Sequence, residues 1–77
     1  MTPTPREDRD AAVRAYLDAA AHAYNCYRAL NAALDDCADS AVVHDLDAAL
    51  SIANARAQHL CDKYVAAERT AHNAATT

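Results

Sequence analysis

Residues 46–60, "LDAALSIANARAQHL", place Leu46, Leu50, Ala53, Ala57 and Leu60 in steps of four, three, four and three. An α-helix completes a turn in 3.6 residues, so this spacing puts all five side chains on one side of a helix. The stripe extends back to Val43 and forward through Tyr64, Ala67 and Ala71. It predicts a helix over residues 41–73, with residues 74–77 fraying beyond it. A stripe of that length needs an apolar surface to lie against.

The chain supplies one upstream. Thr4, Pro5 and Glu7 form a helix start: threonine at the N-cap, proline at the first helical position, and glutamate three after the cap. Glu7, Asp8 and Asp10 then sit near the positive end of the helix dipole. Arg6 with Asp10, Asp10 with Arg14 and Arg14 with Asp18 are spaced to pair along the surface. With Val13 as heptad position a, the a positions are Val13, Ala20, Tyr27 and Leu34, and the d positions are Tyr16, Ala23, Leu30 and Cys37. Leu17 and Tyr24 add position e. Ala12, Ala19, Cys26 and Ala33 add position g. The apolar face of this first helix, over residues 5–37, is therefore wider than a two-stranded seam requires.

The heptad phase separates the two helices. Continuing the first would place its next seam residues at Ala41 and His44, whereas the stripe resumes at Val43 and Leu46. That offset of two residues is about 200° around a helix. A turn over residues 38–40 reunites the stripes, with Asp39 or Ser40 capping the second helix. Folding there sets Leu34 against Leu46, Leu30 against Leu50, Tyr27 against Ala53, Ala23 against Ala57, Ala20 against Leu60, Tyr16 against Tyr64 and Val13 against Ala67. The fold class is all-α: one antiparallel αα-hairpin domain, about 45–50 Å long at 1.5 Å per residue, with Leu30, Leu34, Leu46, Leu50 and Leu60 as its core.

Composition agrees. The chain has 77 residues, no glycine, and prolines only at positions 3 and 5. Alanine, the strongest helix former, fills 22 positions. The 53% hydrophobic content is thus largely alanine, which buries little area. The large apolar set is Met1, the four tyrosines and eleven aliphatic residues, of which Ile52 and Val65 fall off the second stripe. A domain this small has a thin stability margin and usually needs a staple or a partner. Leu17, Tyr24, Tyr27 and Tyr64 are the expected interface, and a second hairpin making a four-helix bundle is the simplest way to cover them. A homodimer or a helical protein partner is therefore expected.

Other functions find little purchase. The net charge is −4 and the seven basic residues are scattered, which disfavours nucleic acid. No run of 18 apolar residues appears, so no membrane span is expected. Cys26, Cys37 and Cys61 are odd in number and form no CxxC pair, which fits free thiols in a reducing cytoplasm. His22, His44, His59 and His72 fall at heptad positions c and f, away from the seam, so no metal or cofactor is expected. No triad, phosphate loop or paired carboxylates appear, and the expected protein is not an enzyme. Asp35, Asp36, Asp39, Asp45 and Asp47 make an acidic tip without a single lysine or arginine. It reads as a solvated turn that keeps hairpins soluble, or as a docking tip for a basic partner.

Tyr64, Val65, Ala66, Ala67 and Glu68 fit the pattern Y-x-x-x-D/E. With the hairpin, this resembles the WXG100 or ESX-type secreted proteins, whose pattern there is a secretion signal. The resemblance implies an exported helical partner protein that pairs into a four-helix dimer. The family's Trp-x-Gly turn is absent, since the chain has neither residue. The composition also suggests a high-GC bacterium or its phage. The reading that follows is a small interaction or regulatory module that self-associates through an Ala/Leu/Tyr face. The alternatives are an ESX-like exported partner or a phage-type small inhibitor.

Overall fold

In the computed structural model, which describes residues 2–76, the chain is two antiparallel helices. Helix α1 spans Pro5–Asp35 and helix α2 spans Ser40–Thr76. They pack along their full length into an all-α hairpin of 57 × 19 × 16 Å. It is longer than the spacing predicts because α2 does not fray at residue 74. Alanine-rich sequence carries the helix on to Thr76. Met1 and Thr77 lie outside the described residues.

Helix α1 begins as expected. The Thr4 hydroxyl accepts a hydrogen bond from the Glu7 N–H at 3.2 Å, and Pro5 occupies the first turn. The reciprocal bond, from the Thr4 N–H to the Glu7 carboxylate, is not made, so only half of the capping box forms. None of the three spaced ion pairs forms either. Asp10 instead takes Arg9 at 3.3 Å, and Arg9 also reaches across to Glu68 of α2 at 3.8 Å.

The end of α1 explains how a chain without glycine makes its turn. Cys37 adopts a left-handed φ of 53°. The Ala38 N–H donates to the Ala33 carbonyl at 2.9 Å, and the Cys37 N–H donates to the Leu34 carbonyl at 3.2 Å. These two bonds satisfy carbonyls that a helix end leaves open. Half-buried Ala33 and Ala38 lie beneath the turn, in the place where this cap favours an apolar contact. Helix α1 therefore closes at Asp35, two residues earlier than its heptads suggest, and Cys37 is an exposed turn residue instead of a seam residue. The Asp39 carbonyl accepts from the Val43 N–H at 3.0 Å, which puts Asp39 at the N-cap position of α2.

The seam on α2 follows the expected stripe. Val43, Leu46, Leu50, Ala57, Leu60, Tyr64, Ala67 and Ala71 are half-buried, and Ala53 is buried. On α1 the seam is rotated. Its covered residues are Arg9, Ala12, Tyr16, Ala19, Ala23, Cys26, Leu30 and Ala33, which are heptad positions d and g, with Val13 and Ala20 half-covered beside them. The expected a-position core residue Leu34 is half exposed, as is Tyr27. The cause is side-chain size. Ala19, Ala23 and Ala53 are the only buried residues among those described, at 7%, 7% and 3% exposure. Small side chains let two helix backbones approach closely, and a tyrosine facing Ala53 would hold them apart. The d/g stripe carries the alanines, so it turns inward. Tyr16 does stack on Tyr64, with ring centroids 6.4 Å apart and planes 9° from parallel. That pair fixes the register anticipated from the turn.

Candidate interaction face

Turning the d/g stripe inward leaves the a/e stripe of α1 outside. Leu17, Tyr24, Tyr27 and Leu34 are 50–60% exposed. They recur at helical spacing along one flank, with Ala20 among them. Tyr24 and Tyr27 support each other one turn apart, their ring centroids 6.4 Å from each other. Helix α2 contributes the other side of this surface. An open groove of 480 Å³ runs between Tyr24 and Tyr27 on α1 and Leu50, Asn54, Ala57 and Cys61 on α2. Separate depressions lie toward the two ends, one between Leu34 and Val43 beside His44 and Asp47, the other beside Val65 with Glu68, Arg69 and His72. The apolar surface is thus central, with charged residues toward both ends.

The opposite broad face is different. Its central depression is lined by Asp18, His22, Ala15, Ala19 and Arg56. Ile52, one turn from Arg56 on α2, is 71% exposed, so apolar surface left in water is not confined to the first face.

The expected interface residues divide. Leu17, Tyr24 and Tyr27 lie together on the apolar face. Tyr64 does not join them as a free side chain, because its ring is taken up by Tyr16 in the seam. Of the expected core, Leu30, Leu46, Leu50 and Leu60 are half-buried, while Leu34 belongs to the exposed stripe. Leu34 and Ala20 are face residues that heptad reasoning set in the seam, and Asn54 is one it did not single out. The spacing of Leu17, Ala20, Tyr24, Tyr27 and Leu34 carried the signal on α1, whereas a lone polar residue on α2 carried none.

The remaining candidates sit elsewhere. Asp35, Asp36, Asp39, Asp45 and Asp47 are all exposed around the turn. The four histidines are exposed too, and His22 Nε2 lies 3.7 Å from Cys26 Sγ one turn on. Cys26 and Cys61 are half-buried free thiols. Glu68, the last residue of the Y-x-x-x-E pattern, pairs with Arg9, so both ends of that pattern are engaged within the hairpin. Among the described residues no helix is long and apolar enough to cross a membrane. No family model, curated protein or solved structure matches the chain.

Proposed function

We infer that this protein is a non-enzymatic helical interaction module, working by laying its Leu/Tyr face against another helical surface. Its action is to occupy a partner's surface, as a binding or regulatory element. The free thiols fit a reducing, cytoplasmic setting. What carries the reading is the stripe left uncovered on α1, where Leu17, Tyr24, Tyr27 and Leu34 are each at least half exposed.

The test is light scattering coupled to size exclusion, with reductant, over a concentration series. The parent chain is expected to run as an assembly. A chain carrying Leu17→Glu and Tyr27→Glu is expected to run as a helical monomer, since both side chains point away from the seam. If the double variant and the parent elute with the same mass, the face is not an interface and the reading fails.

A further inference from the structure

We propose that the turn end of the hairpin docks a basic amphipathic helix of another protein, which sets an apolar side chain between Leu34 and Val43 and holds lysines or arginines against the turn aspartates. This surface lies beyond Leu17, Tyr24 and Tyr27, and the proposal does not depend on what those three meet.

The apolar half is a depression of 510 Å³ between the two helices. Leu30, Leu34, Ala38 and Val43 line it, with His44 and Asp47 beside them. Leu34 is 52% exposed there. A leucine left half in water at the mouth of a depression gains from an apolar side chain laid over it.

The charged half is the turn. Residues 29–55 hold Asp35, Asp36, Asp39, Asp45 and Asp47 and neither lysine nor arginine, while the rest of the chain sets seven basic residues beside six carboxylates. Among the described residues none of the five turn aspartates has an ion-pair partner, whereas Asp10 and Glu68 share Arg9. Two of the five also act against the fold. Asp35 closes α1 and Asp36 caps it, at the end where the helix dipole is negative, and no basic residue in the last turn offsets them. A local rule broken without a gain inside the fold is a mark of a surface in use.

Shape and charge together select the occupant. Among the described residues no three histidine, cysteine, aspartate or glutamate side chains are placed to hold one metal ion. The carboxylates are spread around the turn and the start of α2, so their complement is several cations on one chain. Nucleic acid and anionic lipid are repelled by the same charge. A second copy of this chain, at −4, has its basic residues scattered and presents no basic stretch. A helix delivers both halves at once: apolar residues three and four apart enter a groove between helices, and lysines on its flanks reach the carboxylates. The opposed charges also steer the partner and set its direction, basic end over the turn.

The test uses three synthetic peptides of about 14 residues, which make about four helical turns. The first carries leucines three and four apart with lysines between them. The second has the same residues shuffled so that the leucines share no face. The third keeps the spacing with glutamate in place of lysine. Binding to the full chain is read by calorimetry and by NMR chemical shifts. The first peptide is expected to bind about tenfold tighter than either other, with shifts centred on Leu30, Leu34, Val43 and Asp47. Leu34→Ser is expected to weaken it about tenfold, as is Asp36→Asn combined with Asp47→Asn. Both aspartates are exposed, so the second variant is expected to stay helical by circular dichroism, and it decides the matter should Leu34→Ser lose its fold. Equal binding of the shuffled peptide means attraction by charge alone and overturns the proposal. A first peptide that does not bind, or that binds the aspartate variant as it binds the parent, also overturns it. Shifts centred on Leu17 and Tyr24 overturn it as well, while leaving the central face an interface.

Discussion

Cys37 is the residue on which the hairpin turns. A side chain with a Cβ in the left-handed region costs about 1–2 kcal/mol, and glycine avoids that cost. The chain holds φ at 53° there because two capping hydrogen bonds over-determine it. Cys37→Gly should therefore stabilise the protein by about 1 kcal/mol, read as a higher urea midpoint with an unchanged slope. Cys37→Val should lower the midpoint, because β-branching is least tolerated in that region. An equal midpoint for all three chains would mean the turn is not a fixed element. At the other end of α1, Thr4→Ala removes the acceptor for the Glu7 N–H and should cost about 1 kcal/mol by the same measurement. The start of α1 was legible in the sequence because proline and threonine are specific signals. Its end was not, because nothing about a cysteine announces a left-handed turn.

At the scale of the helix, α1 and α2 differ in how much they revealed. Helix α2 has one continuous three-four stripe, so its inner side admits a single reading and every expected seam residue is at least half covered. Helix α1 has two interleaved stripes, d/g and a/e, both apolar. Hydropathy cannot say which faces inward. The choice is made by volume, since Ala19 and Ala23 permit the close approach that Tyr27 and Leu34 would forbid. Ala53→Leu tests this directly. The site is 3% exposed and has no room for three more carbons. The substitution should cost about 1–3 kcal/mol by denaturant melting, despite raising hydrophobicity. A stabilised variant would place a void beside Ala53 and would undo the argument from alanine. The Tyr16–Tyr64 stack offers a second measurement, where a double-mutant cycle to leucine should return a coupling of about 0.5–1.5 kcal/mol.

For the whole molecule, the same alanines that bring the helices together leave little large apolar surface between them. Among the described residues no large side chain is fully buried, and the Leu/Tyr stripe stays in water. The face was partly legible: Leu17 and Tyr24 stood out as surplus to a two-helix seam, but Tyr27, though named for the interface, was also set against Ala53, and Leu34 was spent on the wrong stripe. A chain so built should draw much of its stability from association. Unfolding of a dimer is coupled to dissociation, so its melting temperature rises with protein concentration. A tenfold increase is worth about 1.4 kcal/mol, which for a pair of this size moves the midpoint by about 3–6 °C. Calorimetry of the parent chain across two decades of concentration should show that rise at each step. The Leu17→Glu, Tyr27→Glu chain should melt lower and at a midpoint independent of concentration, because it unfolds as a lone hairpin. A parent midpoint that does not move would mean the alanine seam alone sustains the fold, and that the exposed stripe contributes nothing to it.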